Sequence, residues 1–217
     1  VELCFRHYVK ERLCWMKLVI HVFQDHYTEN MYALVYLKNI DAEKRRELAA
    51  ETAAKSDPLT RVYNRSSFEE EVSDFMTTGE DSARGALLIL DLDDFKQVND
   101  RFGHLKGDEV LKSLAEVLRH TFRSHDLIGR LGGDEFLVFV KGIENKEILD
   151  RRMDQLFSRL NDSCGDFLFC SAGICFVSGE GFDYQKALKC ADTALYESKK
   201  KGKRRYSYYE KMEDMKV

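Results

Sequence analysis

The chain has 217 residues, of which 44% are hydrophobic and 33% are charged, with one proline and 13 glycines. This balance excludes disordered, collagen-like and low-complexity proteins, and the length allows one domain and part of another. Asp and Glu (38) outnumber Lys and Arg (34), for a formal charge of -4, so no basic excess exists to neutralise a nucleic-acid backbone. We therefore expect no polymeric nucleic acid among the partners.

The spacing of the cysteines and the length of the apolar runs indicate where in the cell we expect this chain. The six cysteines form none of the C-x-x-C pairs that zinc sites and redox motifs use, which is typical of reduced thiols in a cytosolic protein. No apolar run approaches the about 20 residues that span a bilayer. We expect a cytoplasmic location and no membrane contact from this segment, with membrane attachment through absent upstream regions left open by a start at Val1 rather than Met.

Residues 1–40 have a strand-like composition. Two apolar segments, WMKLVIHVF and MYALVYLKNI, flank the polar turn QDHYTEN and predict an antiparallel pair too small to bury its own core. A charged, alanine-rich helix is predicted for 41–56, before Pro58. The arrangement resembles the C-terminal end of a PAS sensor domain with its signalling helix, so residues 1–40 would be a sensor fragment and 41–56 a linker.

Beyond Pro58, strands and helices alternate over residues 57–217. This pattern predicts an α/β (α+β) sandwich in which helices flank one central, mostly antiparallel sheet. The predicted elements, in chain order, are a strand at ALLILDL, a helix from Gly107 to Phe122, a strand at EFLVFV, a helix near Lys146 to Leu160, a strand pair around FLFCSAGICFV and a helix from Tyr184 to Lys201.

Two acidic clusters accompany predicted strands. One strand ends in Asp91, followed by Asp93 and Asp94, and period-2 alternation places Asp91 and Asp93 on one face. Asp134 and Glu135 follow a Gly-Gly pair that predicts a tight hairpin turn. If that hairpin lies beside the first strand, Asp91 and Asp134 converge on one cation site suited to metal-assisted phosphoryl chemistry. The alternative is that both acidic clusters are merely exposed to solvent, at the end of a strand and in a plain hairpin, and bind no cation.

Three motifs carry a family resemblance. RLGGDEF, DPLTRVYNR upstream and DLDDFKQVNDRFGHLKGDEVL between them are similar to those of the GGDEF family of diguanylate cyclases, from about Asp57 to the C-terminus. The resemblance implies a fold like the polymerase palm and the adenylyl cyclase core. It also implies a reaction that condenses two GTP into cyclic di-GMP with release of two pyrophosphates, each chain of a homodimer holding one GTP.

The resemblance assigns metal and catalytic roles. Asp91, the backbone carbonyl of Leu92 and Asp134 would bind Mg²⁺ (or Mn²⁺). Asp134 would also lie near the attacking 3'-hydroxyl, and Glu135 would be a second metal-binding or proton-handling group. Lys96 would stabilise charge on the transferred phosphoryl group.

The resemblance also assigns the contacts with GTP. Asn99 and Asp108 match the residues that read guanine, because a carboxylate can accept from N1–H and N2–H, which adenine lacks. Lys203 stands where the family more often has Arg, and a lysine binds phosphate without bidentate geometry. The implied substrate-binding residues are Asn99, His104, Asp108, Gly132, Gly133, Lys199 and Lys203. For His104, a merely structural role is the alternative.

The segment RSHD, Arg123 to Asp126, precedes the Gly-Gly pair by the five residues LIGRL. Active family members often carry an R-x-x-D product-inhibition site at this position. Arg123 and Asp126 would then bind cyclic di-GMP as an allosteric inhibitor. The alternative is an ordinary helix-end ion pair between them.

The leading hypothesis is a magnesium-dependent diguanylate cyclase. The main alternative is a catalytically inactive GGDEF module that binds GTP or cyclic di-GMP as a sensor. A cyclase or polymerase-like enzyme that uses ATP is a third possibility, which the pairing of Asn99 with Asp108 disfavours.

Overall fold

The computed structural model describes residues 1–24, 27, 30–78, 84–143, 145–164, 169–179 and 181–210, with 78, 163 and 164 by backbone only. The chain divides into two compact units, Val1–Ala54 and Lys55–Val217. Within the ranges just given, none of the helices combines the length and the apolar character needed to span a bilayer.

The first unit contains a three-stranded antiparallel sheet. Its strands are β1 (Glu2–Val9), β2 (Arg12–Gln24) and β3 (Met31–Asn39), in the order β1-β2-β3. The pairing of β2 with β3 confirms the predicted antiparallel pair, although the predicted turn lies largely outside the described residues. The sequence did not indicate β1, because Lys10 and Glu11 form its turn at positive φ without a glycine or asparagine to signal it.

Helix α1 (Asp41–Lys55) follows β3 and matches the helix predicted for 41–56. The Asp41 carboxylate anchors its first turn, since it accepts from the Trp15 N–H (3.3 Å) and pairs with Arg45 (2.8 Å). The helix has no buried residue, in keeping with its charged composition. The resemblance of residues 1–40 to a PAS fragment stays a prediction.

The second unit is a five-stranded sheet in the order β5-β6-β4-β7-β8. All of its pairings are antiparallel except the parallel pair of β7 and β8. The predicted fold class, a mostly antiparallel sheet flanked by helices, is confirmed. The elements are α2 (Arg65–Thr78), β4 (Arg84–Leu92), α3 (Phe95–Phe102), α4 (His104–Thr121), β5 (Leu127–Gly132), β6 (Glu135–Lys141), α5 (Lys146–Cys164), β7 (Cys170–Ser178), α6 (Tyr184–Lys200) and β8 (Tyr206–Tyr208).

Two hydrophobic cores lie on the two faces of this sheet. Alternation along β4 sends Leu88 and Leu90 into the core shared with α3, α4 and α5, and Leu87 and Ile89 into the core shared with α2 and α6. Helix α6 packs so closely that a Cβ at Gly173 on β7 would overlap the backbone of α6. This contact fixes the height of α6 over the sheet and therefore the position of the basic residues at its end.

Several predicted bounds differ from the structure. Helix α4 begins at His104 rather than Gly107, since the chain turns at Gly103 (φ 82°) directly out of α3. Around FLFCSAGICFV, the described residues form one strand, β7, rather than a strand pair, and its partners are β4 and the short β8. Helices α2 and α3 were not predicted, although their apolar residues stand at helical spacing: Phe68, Val72, Phe75 and Met76 in α2, and Phe95, Val98 and Phe102 in α3.

Candidate active site

The Gly-Gly pair forms the predicted hairpin turn between β5 and β6. Gly132 pairs with Glu135, so Gly133 and Asp134 occupy the two-residue turn. Gly133 has a left-handed φ of 53°, and no atom lies within 4 Å of a Cβ built on either glycine. The backbone of this turn is therefore exposed to a ligand such as a phosphate group.

The sheet brings the two acidic clusters together. Strand β6 pairs with β4 and places Glu135 directly opposite Asp91. The Leu92 N–H donates to the Asp134 carbonyl (3.3 Å), while the Leu92 side chain is buried in the core and fixes this backbone. The hairpin thus lies beside β4, and Asp91 and Asp134 lie close together where β4 ends and β6 begins.

The carboxylates of this edge influence one another electrostatically. Burial raises the pKa of Asp91, and the nearby Asp134 and Asp93 raise it further against the opposing effect of Lys199. Burial also raises the pKa of Glu135, with additional contributions from Asp91 and Asp134. A bound divalent cation would relieve this concentration of negative charge.

These donors fit Mg²⁺ or Mn²⁺. The two carboxylates of Asp91 and Asp134 and the carbonyl of Leu92 are hard oxygen ligands, and magnesium commonly uses one or two carboxylates together with water and substrate phosphates. Over the described part of the chain, no group of three or more His, Cys, Asp or Glu residues could hold a metal ion. The protein therefore offers an incomplete ligand set that a phosphate-bearing substrate could complete.

Both predicted phosphate-binding lysines at the end of α6 pair with acidic residues. The Lys199 Nζ lies 2.8 Å from Asp91 Oδ2, and the Lys203 Nζ lies 2.8 Å from Asp94 Oδ1. Lys199 is therefore the counter-ion of a predicted metal ligand. A cation bound to Asp91 would release Lys199 for a phosphate group.

Asn99 and Asp108 come from α3 and α4, on either side of the turn at Gly103. A Cβ at Gly107 would overlap the Asn99 Oδ1, so only glycine at this position leaves the amide where it lies. Gly107 was not predicted as a site residue, although it directly precedes Asp108. The predicted Lys96 and His104 are exposed on the first turns of α3 and α4.

If Asn99 contacts the base of GTP, Gly107→Ala should weaken GTP binding about tenfold while the protein stays folded. The new methyl group displaces the end of the Asn99 side chain and otherwise crowds only the tip of the Phe95 ring. Equilibrium binding of GTP measures the effect. Lys112→Ala, on the exposed face of the same helix, is the matched control. Equal GTP affinity of Gly107→Ala and wild type would show that the position of the Asn99 amide does not matter for binding.

Arg130, which was not predicted as a site residue either, holds the hairpin turn through the Gly133 carbonyl. Its guanidinium donates to both Asp57 carboxylate oxygens (3.2 and 3.3 Å) and to the Gly133 carbonyl (2.6 and 3.1 Å). Burial alone would raise the pKa of Asp57, but hydrogen bonds from Thr60 and the charge of Arg130 lower it below its usual value. Asp57 and Arg130 together fix the turn that carries Asp134.

The residues of the R-x-x-D segment have different environments. The Asp126 side chain is fully buried and accepts from the backbone N–H groups of Arg123 (2.9 Å) and Lys141 (3.1 Å). Its ion-pair partner is Arg152 (3.0 Å), so the alternative of a simple Arg123–Asp126 ion pair is not what the structure shows. The Arg123 side chain is exposed and lines a cavity of about 290 Å³ with Lys141, Asn145 and Arg152.

The chain is similar in sequence to one protein family and to curated proteins described as diguanylate cyclases. Residues 54–205 match the family described as diguanylate cyclase, GGDEF domain. The probable diguanylate cyclase DgcC of Escherichia coli K12 is 35% identical over 169 residues, which cover 76% of this chain and 45% of that protein. The diguanylate cyclase DgcP of Pseudomonas aeruginosa is 36% identical over 159 residues, covering 70% of this chain and 23% of that protein. The chain thus spans less than half the length of these relatives.

Comparison with solved structures agrees with the sequence matches. The GGDEF domain of DgcB from Caulobacter crescentus, solved in complex with cyclic di-GMP, has a TM-score of 0.66 at 26% identity and covers 73% of this chain and 97% of that one. The active GGEEF domain of a Vibrio cholerae diguanylate cyclase has a TM-score of 0.60 at 27% identity and covers 68% and 97%.

Proposed function

The chain belongs to the GGDEF family of diguanylate cyclases, and from that premise we propose that it condenses two GTP into cyclic di-GMP, with release of two pyrophosphates, in a magnesium-dependent reaction. The observation that carries the proposal is the convergence of Asp91 and Asp134 across β4 and β6, with Lys199 beside them. This set of charges suits a metal-bound triphosphate.

Each group of the site has a place in this reaction. Asp91, Asp134 and the Leu92 carbonyl would hold the cation, which when bound neutralises phosphate charge and favours ionisation of a nearby hydroxyl. Lys199, released from Asp91, would bind the outer phosphates with Lys203. Glu135, which lies opposite Asp91 on β6, would be a second metal-binding group or would accept the proton of the attacking 3'-hydroxyl.

Two further residues would orient the reacting groups. Asn99 and Asp108 would hold the guanine edge and thereby set the direction of the ribose, while Lys96 on the first turn of α3 would stabilise charge developing on the transferred phosphoryl group. The exposed backbone at Gly132 and Gly133 would let the triphosphate approach the hairpin closely.

The product requires two copies of this site. Cyclic di-GMP is twofold symmetric and each half comes from one GTP, so we propose a homodimer in which each chain presents one GTP to the other. The strands and helix of residues 1–56 would act upstream, as the sensor fragment and linker that bring two catalytic domains together. A cytoplasmic location, where GTP is available, belongs to the same proposal.

We assign product inhibition to the cavity beside Arg123. The exposed guanidinium of Arg123, with Lys141 on the same cavity, offers positive charge to the phosphates of cyclic di-GMP. Because the Asp126 carboxylate is engaged with Arg152 and two backbone N–H groups, its contribution is to hold the backbone at Arg123 in place.

Arg123→Ala should raise the inhibitory concentration of cyclic di-GMP about ten- to a hundredfold, because it removes a charge-assisted contact of about 1.5 to 3 kcal/mol. The initial rate should not change, since Arg123 lies outside the metal site. Initial rates measured with added cyclic di-GMP report both values. Identical inhibition of Arg123→Ala and wild type would place the inhibitory site elsewhere.

The reaction itself is tested with purified protein, Mg²⁺ and either GTP or ATP, with products identified by mass. We expect cyclic di-GMP from GTP, no cyclic product from ATP, and no product from either nucleotide after chelation by EDTA. A folded, dimeric protein that binds GTP and leaves it unchanged would instead be a sensor module.

Asn99→Ala combined with Asp108→Ala should reduce the preference for GTP over ATP at least about a hundredfold, because a site built to pair with a base edge discriminates through those partners. Competition between the two nucleotides in equilibrium binding gives the preference. Inorganic triphosphate binding is the internal control and should stay within about twofold of wild type, since these side chains act on the base. Unchanged preference would mean that guanine is read by other residues.

A further inference from the structure

The turn that follows α6 has an unusual backbone. Gly202, Lys203 and Arg204, named here the basic turn, have φ angles of 110°, 62° and 52°. Two consecutive non-glycine residues in the left-handed region are unfavourable, so surrounding contacts must hold them there. Lys203, one of these two residues, is a proposed phosphate ligand.

Asp93 provides such a contact. Its Oδ2 accepts from the Arg204 backbone N–H (3.0 Å) and its Oδ1 accepts from the Ser171 hydroxyl (2.8 Å). The Ser171 side chain is fully buried, and the Asp93 N–H donates to the Phe169 carbonyl (2.9 Å). The carboxylate is thus anchored on β7 by one oxygen and holds the basic turn with the other.

The side chain of Lys203 is not anchored in the same way. Its ion pair with Asp94 joins two side chains that are 43% and 51% exposed. An exposed pair of this kind contributes little energy, so Lys203 is free to exchange Asp94 for a phosphate group. What determines the direction of Lys203 is therefore the backbone of the basic turn. Asp93 holds this backbone at Arg204, while the Lys203 N–H donates to the Ser198 carbonyl (3.2 Å) and the Arg205 Nε donates to the Lys203 carbonyl (3.1 Å).

We propose that Asp93 is a positioning residue that fixes the basic turn, so that Lys203 is presented to the outer phosphates of a bound nucleoside triphosphate. Asp93 would thereby set the preference of the site for a triphosphate over a monophosphate. The inference rests on the proposed function, since it takes Lys203 as a phosphate ligand, but it assigns to Asp93 a role separate from metal binding.

Binding of guanosine 5'-(α,β-methylene)triphosphate and of GMP, each with Mg²⁺, tests the role. Asp93→Ala should lower the ratio of triphosphate affinity to GMP affinity about tenfold, because a hydrogen bond to a charged group is lost. Only the triphosphate affinity should fall, and the GMP affinity should stay the same. Asp93→Asn should keep the ratio within about threefold of wild type. Its amide oxygen can accept from Arg204 N–H while its NH₂ group donates to the Ser171 hydroxyl.

The Asp93→Asn variant separates positioning from charge. If Asp93 acted as a metal ligand or through its negative charge, Asn and Ala would impair triphosphate binding alike, and the inference would be wrong. Asp100→Ala, an exposed aspartate of α3, is the matched control and should leave the ratio unchanged. Thermal melts of all variants establish that they are folded.

If Asp93→Ala does not fold, Ser171→Ala decides the question. This substitution removes the hydroxyl that anchors the Asp93 carboxylate and changes the side-chain volume little. It should lower the triphosphate-to-GMP affinity ratio about threefold. An unchanged ratio would overturn the inference. If the proposed function fails because the site binds no triphosphate, the wild-type protein itself shows no preference for the triphosphate over GMP. If it fails because GTP is bound without turnover, wild type keeps that preference and Asp93→Ala still loses it, while no cyclic di-GMP forms. A wild type with that preference, together with an Asp93→Ala variant that retains it fully, would refute the role of Asp93 alone.

Discussion

Asp91→Ala is expected to lower the rate of cyclic di-GMP formation at least about a hundredfold, which corresponds to about 2.7 kcal/mol of barrier. The substitution removes a proposed carboxylate ligand of the cation and also the partner of Lys199. Asp134→Ala should have an effect of the same size, because its carboxylate would bind the same cation from the adjacent hairpin turn. Initial rates at saturating Mg²⁺ and GTP measure both.

The fold should survive these substitutions, because Asp91 and Asp134 are only partly buried and fill no core volume. Asp100→Ala, an exposed aspartate of α3, provides the control for a lost carboxylate outside the site. A folded Asp91→Ala protein with more than roughly a hundredth of the wild-type rate would contradict the metal site formed by the two carboxylates.

Asp126→Ala is expected to lower the free energy of unfolding by about 3–5 kcal/mol, because it leaves Arg152 without its counter-ion in a buried position. The Arg152 side chain is 11% exposed and the Asp126 side chain is not exposed at all. The substitution also leaves the backbone N–H groups of Arg123 and Lys141 without their acceptor. Urea unfolding of the whole chain gives the difference.

Arg123→Ala is the matched comparison, since it changes an exposed side chain of the same segment and should alter stability by less than about 0.5 kcal/mol. A difference below about 1 kcal/mol for Asp126→Ala would show that the Asp126–Arg152 pair does not stabilise the domain. Product inhibition should accordingly be studied with Arg123, because a change at Asp126 alters stability and regulation together.

Local sequence patterns predicted the elements that carry the acidic clusters. The apolar run before Asp91 and the Gly-Gly turn before Asp134 each specify a strand or a hairpin by themselves. The sequence did not show whether β4 pairs with β6, because strand order depends on packing between distant segments. The convergence of Asp91 and Asp134 was therefore predicted only for the case that the two strands are neighbours. The start of α4 was misplaced because no capping residue with a side-chain hydrogen bond precedes His104.

The ion pairs between residues that are distant in sequence could not be predicted from local sequence patterns. The pairing of Asp126 with Arg152 joins the residue before β5 to α5, and that of Arg130 with Asp57 spans 73 positions of the chain. Lys199 was predicted as a phosphate ligand from resemblance, but its pairing with Asp91 depends on the height of α6 over the sheet. Such contacts follow from tertiary packing and leave no periodic signal in the sequence.

The most direct test of the proposed reaction is to quantify pyrophosphate and cyclic di-GMP together in one incubation of the purified protein with Mg²⁺ and GTP. The expected result is two pyrophosphates for each cyclic di-GMP, with neither formed by Asp91→Ala. Release of inorganic phosphate without cyclic di-GMP, or tight GTP binding by a dimer that forms no pyrophosphate, would contradict the assignment as a diguanylate cyclase.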